Sequence, residues 1–551
     1  MNVNGNAKGA PQPELSQRQR QILKLLQAGK VNKEVARELD IGVGTVKQHI
    51  VALFKKLNVH NRAMAVSRGM DMQHEQESHG PTLTVDGLLE RRPCVVLSVA
   101  LPFDASQTAV RLMYGTLAAL ASANDAIFLA RQGNAGDVIF GIQRVTEYDP
   151  AIALRTARAV YDDLLALDAG MAEKIRGCLT AGLAVASMKR FGGWTGEAIA
   201  SAVIGSARAL LNDTPTGQLA FDTTVLDLIE VFGIVGQQQA LSPLLPFQEL
   251  KKLHWTGSRR AYPLVGRVAE LTKLYAALVE AAKGRGSLIH VEGEMGMGKS
   301  RLCEEIAKHC LRQGGAVAFY RCLPEVLGKS LYDTQGGTDC SADHVAAVLN
   351  ATPAHLPELV IVDDFHLLGS EQQALLAAAA ADAVANRKMV VLSGRRGAAG
   401  SGDHPAETIN LRRLSANAVE ALVRGTLGDE AAKASSGEVQ DISRMAAGVP
   451  LFAVELARRH DAERLAMPLL VVINARLDSL HLDRSLLRAV VKNFVGATLE
   501  EIATTSGDDV EFLQQQVARA VAAGVLSWGA EGALSFTHPL LRRAIDCLVM
   551  E

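Results

Sequence analysis

The stretch that most limits what this chain can fold into is SLIHVEGEMGMGKSRLCEEIAKHCL, residues 287 to 311. An apolar run leads into Gly293, four residues follow, and then come Gly298, Lys299, Ser300 and a helical pattern. Glycines at that spacing let the backbone curl so that successive N–H groups point at one anion, and the positive end of the next helix adds to the field. This is the spacing of a phosphate-binding P-loop, and it predicts an α/β layer with the loop at a strand end. Gly293, Gly296, Gly298, Lys299, Ser300 and Arg301 are the expected nucleotide-binding residues, with Lys299 on the β- and γ-phosphates and the Ser300 hydroxyl on Mg2+.

A P-loop needs an acidic partner on a neighbouring strand, and LPELVIVDDFHLL supplies one. Asp363 is expected to hold Mg2+ through water, and Asp364 to orient or deprotonate the attacking water. A further strand, KMVVLSGRR, ends in Arg395 and Arg396, and Arg395 is a candidate sensor of the γ-phosphate. Without the P-loop, two acids at a strand end would read as a solvated terminus.

At 551 residues the chain is too long for one core, and roughly 100 to 200 residues per domain predicts several units. No apolar run reaches the roughly 18 residues needed to cross a bilayer, and the polar start MNVNGNAKGAPQPE has no signal-peptide core. The expected location is the cytoplasm, without a membrane partner. Seven scattered cysteines without a CxxC pair fit reduced thiols and offer no metal framework. The net charge of −2 hides an asymmetry: residues 13 to 70 hold eleven Lys and Arg against four acids, a net +7, leaving −9 for the rest.

That basic end reads as three short helices. Ser16 caps the first, NKEVARELD forms the second, and TVKQHIVALFKKL after the turn IGVG puts Val46, Ile50, Leu53 and Leu57 on one face. This is a helix-turn-helix with a basic outer face. Over about fifty residues it resembles the LuxR-type DNA-binding domain. That resemblance implies double-stranded DNA as partner, with Thr45, Val46, Lys47 and His49 in or beside the major groove and Lys56 and Arg62 on backbone phosphates. Such a module touches few base pairs and works as a dimer, so self-association as a homodimer or higher oligomer is expected.

After the polar linker DMQHEQESHGPT, the runs RRPCVVLSVALPF, GDVIFGI and CLTAGLAVASM read as strands with helical stretches between them, an α/β sandwich pattern. The order of elements resembles the class III adenylyl cyclase homology domain. In that family two aspartates hold two metal ions. Here Ala100 stands at the first position and Asp137 at the second, while Ala200 and Ile204 stand where substrate-gripping Asn and Arg belong. The expectation is a domain without cyclase activity, with Asp137 a turn or surface acid.

Residues 262 to 551 resemble the STAND group of AAA+-related signalling ATPases. LVGR ending in Arg267 matches their adenine-side entry, GVPLFAVELA with Pro450 their GxP stretch, and LSFTHPLLRRAI the end of their winged-helix lid, whose His538 contacts nucleotide phosphates by that resemblance. The predicted fold class is multidomain: an all-α helix-turn-helix, an α/β cyclase-like sandwich, and an α/β P-loop NTPase with helical and winged-helix lid. The predicted boundaries are a flexible N-terminus (1–12), helix-turn-helix (13–70), linker (71–85), cyclase-like domain (86–245), connector (246–262), NTPase (263–425), helical lid (426–480) and winged helix (481–551). The implied function is a transcription regulator in which ATP or ADP with Mg2+ acts as a switch, slow hydrolysis as a reset, and RNA polymerase and an inducer as further partners. Two alternatives stand beside it: an active cyclase with a DNA-binding appendage, and a DNA-binding scaffold with a vestigial P-loop.

Overall fold

The structure is a computed structural model. It describes residues 87–550 except 133, 232–233, 236–240, 256–261, 327–328, 354, 356, 396, 398–405, 429–434, 459–464, 493–497 and 530–531. The chain divides into two compact units, Met1–Asp86 and Gly87–Glu551. Thr45, Val46, Lys47, His49, Lys56 and Arg62, and with them the whole expected DNA reader, lie outside the described residues, as does Arg396.

The second unit begins with β1 (Leu88–Ala100), α1 (Gln107–Ala123), β2 (Ile127–Arg131), β3 (Ala135–Phe140), α2 (Asp149–Leu167), β4 (Arg176–Met188), α3 (Ala202–Asp213), β5 (Gln218–Phe221), α4 (Thr223–Val231) and β6 (Leu244–Pro246). They build a six-stranded sheet in the order β2-β3-β1-β4-β5-β6, with β1 antiparallel to both β3 and β4. This is the split βαβ arrangement. Side chains alternate across a strand, and β1 is apolar on both faces for that reason. Val95, Leu97 and Val99 join the core under α1 and α2, whereas Cys94, Val96 and Ala100 join the core under α3. The five-residue strand β2 went unseen in the sequence reading because IFLAR is too short to show a period. The expected connector packs in part into this sheet's core: Phe247 is buried and stacks on Tyr161 with ring centroids 5.8 Å apart.

The second sheet and its helices follow: α5 (Val268–Ala282), β7 (Ser287–Glu292), α6 (Lys299–Arg312), β8 (Ala316–Val326), β9 (Lys329–Asp333), β10 (Thr338–Cys340), α7 (Ala342–Asn350), β11 (Glu358–Asp363), α8 (Ser370–Ala385), β12 (Met389–Gly394) and β13 (Glu407–Asn410). Its sheet runs β10-β9-β8-β11-β12-β7-β13, parallel from β8 to β13 and antiparallel at the β9 and β10 edge. Parallel strands are covered on both faces, and β11 and β12 are accordingly almost wholly buried.

The chain then turns helical, with α9 (Ala416–Leu427), α10 (Ser436–Ala446), α11 (Pro450–Arg458), α12 (Met467–Leu480), α13 (Arg484–Lys492), α14 (Leu499–Ser506) and α15 (Val510–Ala522), and ends in the hairpin β14 (Leu526–Trp528) and β15 (Leu534–Phe536) and in α16 (Pro539–Leu548). Helix α12 is buried nearly all round: Leu469, Leu470 and Val472 pack with the second sheet's core and the terminal helices, and Val471 and Ala475 pack into the first sheet's core. A helix buried on nearly every side has little solvent face and serves as a shared axis. Among the described residues no helix is long and apolar enough to cross a membrane, and all seven cysteines are free thiols.

Candidate nucleotide-binding site

Strand β7 lies between β12 and β13, so the loop that leaves it opens at the carboxyl edge of the parallel strands. There the Gly293 N–H donates to the Gly394 carbonyl at 3.2 Å. Gly296 and Gly298 take φ of +76° and +89°, the left-handed region in which a Cβ is penalised, and Gly298 caps α6. Lys299 opens that helix, and its Nζ donates to the carbonyls of Gly293 at 3.1 Å and Glu294 at 3.2 Å. Buried Arg267 braces the loop from outside by donating to the Met297 carbonyl at 3.0 Å and the Arg412 carbonyl at 2.8 Å.

The loop faces a cavity of about 250 Å³. Its apolar side includes Tyr262, Leu264, Leu414, Leu451 and Val454, and its polar side carries Lys299, Ser300, Arg301, Asp364 and Arg395. Pro450 lines it as well, and the Leu451 N–H donates to the Gly296 carbonyl at 3.2 Å, which ties helix α11 directly to the loop. His538 is not among the lining residues. It is 2% exposed, its Nδ1 accepts the Leu540 N–H at 3.1 Å to cap α16, and its other ring nitrogen faces the Ala446 carbonyl at 3.2 Å. The expected phosphate contact by His538 is therefore corrected: both ring nitrogens are used by the fold, and burial holds its pKa down at about 4.

Asp363 ends β11 fully buried. The Ser393 hydroxyl donates to its Oδ1, and Arg321 Nη2 lies 3.2 Å from its Oδ2. Burial alone would lower the Arg321 pKa, but Asp363 and Glu304 hold it above the usual range, so this guanidinium stays charged. Asp364 sits in the left-handed region at φ +57°, which turns its carboxylate toward the cavity. Burial and then Asp363 raise its pKa to about 6, with Lys299 and Arg321 opposing. Above that value it is a carboxylate able to take a proton. His366, two residues on, has no hydrogen-bond partner at either ring nitrogen and is held neutral, with a pKa of about 4, by burial and by Arg395 and Lys299.

Several residues of this site carried no signal in the chain. Tyr148 donates its hydroxyl to Asp364 Oδ2 at 3.0 Å, and Glu147 Oε1 lies 3.6 Å from Arg395 Nη2; both come from the first sheet's half of the unit. Arg321 left a trace, since a charge in the middle of the apolar strand AVAFYRCLPEV asks for a buried partner.

In the first sheet, Ala100 faces Ala135 across the β1–β3 ladder, and the residue facing Asp137 is Ser98, whose hydroxyl donates to Asp137 Oδ1 at 2.6 Å. The reading of Asp137 as a turn or surface acid is corrected: it is fully buried mid-strand, with Arg131 3.0 Å and Arg208 3.6 Å from its two oxygens. Arg208 lies one turn beyond Ile204 on α3, while Ile204 is buried and Ala200 pairs by backbone with Val185.

Comparison with known proteins bears on both ends. Residues 13–68 match the family described as bacterial regulatory proteins, luxR family, and residues 263–530 match the AAA ATPase domain. The chain is thus similar to the luxR family near its start and to the AAA ATPase domain over most of its second half. The regulator YhjB of Escherichia coli K12 is 53% identical over 51 residues, 9% of this chain and 26% of its own length. The transcriptional regulator MalT of Vibrio cholerae is 46% identical over 52 residues, 9% of this chain and 6% of its own length. The chain thus spans about a quarter of the length of the curated relatives it first matches. Among solved structures, the Thermotoga maritima RuvB Holliday junction branch migration motor superimposes on 50% of this chain and 95% of its own, at 17% identity and a TM-score of 0.30. An AAA ATPase domain implies nucleotide binding, and a luxR-family domain implies binding to DNA.

Proposed function

We propose that this luxR–AAA protein is a cytoplasmic transcription regulator whose grip on DNA is set by ATP or ADP in the cavity beside Lys299. The observation that carries the reading is the placement of the P-loop under two other parts of the unit. Helix α11 bonds to the loop at Gly296, and Tyr148 of the first sheet bonds to Asp364 across the same cavity. A ligand that reshapes the cavity would act on helix α11 and on the first sheet, because both line it. Differential affinity for two such arrangements is what a switch requires, about 5.5 kcal/mol for a full reversal.

Lys299 and Arg395 supply the charges for a triphosphate, and the apolar wall at Leu264 and Leu414 suits a base. The residues also fit Mg2+. The Ser300 hydroxyl lines the cavity, and buried Asp363 Oδ2 has no hydrogen-bond donor, only the Arg321 ion pair. Ser300 would hold the ion directly and Asp363 through water, and the ion would neutralise charge on the phosphate oxygens. Asp364 would orient the attacking water and accept its proton, with slow hydrolysis resetting the switch.

The first sheet is, in this reading, a cyclase-type domain without cyclase activity. Ser98 in place of a second acid, and two arginines on Asp137, leave no carboxylate pair for two metal ions. The terminal helices and hairpin are a winged-helix-type lid. The partners are DNA, a second copy of the chain, RNA polymerase and an inducer.

The deciding experiment measures DNA binding and oligomer size with ADP, ATP and a non-hydrolysable ATP analogue. Wild type should respond to nucleotide and Lys299→Ala should not. Equal behaviour of wild type in all three states would remove the switch, and formation of cyclic nucleotide from ATP would revive the cyclase.

A further inference from the structure

The segment Val145–Asp149, between β3 and α2, reaches the nucleotide cavity from the first sheet. It is held at both ends. The Val145 N–H donates to Asp478 Oδ2 on α12 at 2.8 Å, and Asp149 accepts the Thr146 N–H at 3.1 Å and the Thr146 hydroxyl at 2.5 Å. Between those anchors, Glu147 lies 3.6 Å from Arg395 and Tyr148 donates to Asp364 at 3.0 Å. All four of these side chains line the cavity that Lys299 and Ser300 line.

The chemistry of these contacts is competitive. A carboxylate and a phosphate satisfy a guanidinium in the same way. Glu147 is 9% exposed while the Arg395 side chain is 39% exposed, so the carboxylate is the buried member of the pair and repels a second anion brought close to it. A γ-phosphate placed at Arg395 would therefore contend with Glu147 for it, whereas a diphosphate would lack the group that competes. Meanwhile the Tyr148 hydroxyl occupies an oxygen of the acid that would bind the attacking water.

We propose that Glu147 is an internal competitor for the γ-phosphate and Tyr148 a restraint on Asp364. Together they form a latch through which the first sheet sets the preference of the site between tri- and diphosphate. The inference rests on the cavity being the nucleotide site. Release of the latch frees a segment that is bonded at Val145 to the lid helix, so the γ-phosphate is felt by both halves of the unit.

The test uses the full chain and two probes, ADP and a non-hydrolysable ATP analogue, titrated against wild type, Glu147→Gln, Arg395→Ala and the double variant. Glu147→Gln keeps shape and removes charge. It should tighten the analogue about tenfold and change ADP less than twofold, and most of that gain should vanish when Arg395→Ala is added. Tyr148→Phe, read by steady-state hydrolysis, should raise kcat several-fold with KM little changed. Equal shifts for both nucleotides, or no shift, would overturn the competitor; an unchanged or lower kcat would overturn the restraint. Should wild type bind neither probe, the nucleotide site itself fails and the latch with it, an outcome distinct from binding without discrimination.

Discussion

The guanidinium of Arg92 on β1 grips Asp478 on α12 with two parallel hydrogen bonds, Nη1 to Oδ1 at 3.0 Å and Nη2 to Oδ2 at 2.5 Å. Arg484 adds a third bond from the start of α13 and also pairs with Glu90, so β1, α12 and α13 meet at one buried carboxylate. A second knot, Arg190 with Asp483 and Asp508 at 2.6 and 2.5 Å, joins the end of the first sheet to the same terminal helices.

Removing Asp478 leaves two buried guanidiniums without their shared acceptor, and stranded buried charge is costly whatever the intact pair is worth. Asp478→Ala should lose about 3–5 kcal/mol in urea unfolding monitored by circular dichroism. Burial would raise the Asp478 pKa, but Arg92 and Arg484 hold it below the usual 3.8. Its contribution is therefore present above that unfolded value and disappears as pH falls through the lower folded one.

Asp149 should show the opposite pH dependence. Burial, joined by Glu147 and Asp478 and opposed by the Thr146 hydrogen bonds, raises its pKa to about 7 from 3.8, and Arg92 also faces it. The folded state thus holds a proton that the unfolded state releases. Stability from this group is complete below 3.8 and is lost as pH rises through about 7. Asp149→Asn should gain on wild type over that interval, by a few kcal/mol on the order of 1.4 per pKa unit. Thermal melts of both proteins between pH 5 and 8 read the difference; parallel melting curves would refute the shift.

At Gly296 the left-handed φ and helix α11 act together. An added Cβ would stand 3.1 Å from Leu451 Cβ and 3.4 Å from Val449 Cγ1. Gly296→Ala should cost about 1–2 kcal/mol in backbone strain and push α11 off the loop. Nucleotide affinity should fall several-fold while far-ultraviolet circular dichroism stays unchanged.

For the luxR-family end the two classes of contact predict different losses. Lys47→Ala should cost about 1–3 kcal/mol on the specific operator and little on random DNA. Lys56→Ala should weaken both alike and lower the salt slope by about one. Neither should change nucleotide titrations, so fluorescence anisotropy on the two DNAs, run with the nucleotide assay, checks both.

Much of the site was legible because its parts are local. The P-loop is one strand, one turn and one helix in a row, so the spacing of Gly293, Gly298, Lys299 and Ser300 carries the geometry within the chain. Asp364 and Arg395 were legible for a similar reason, since parallel strands place their carboxyl ends at one edge.

Contacts between distant elements were not legible. Ser98 and Ala100 lie on the same face of β1, two residues apart, and a period of two cannot say which of them meets Asp137; only the register of β1 with β3 decides it. His538 read as a ligand-facing histidine, yet its place at the cap of α16 gives its nitrogens to backbone groups first. Glu147 and Tyr148 had no motif, because what brings them to Arg395 and Asp364 is the docking of one sheet on another through α12.

By itself the order of residues determined which segments become strand, loop and helix, and which loop is shaped for phosphate, because those outcomes depend on neighbours within a few positions. The pairing of buried charges and the identity of the groups facing the loop were decided only when the sheets and the C-terminal helices packed. Such contacts depend on the register and docking of elements more than two hundred residues apart, as Tyr148 and Asp364 are.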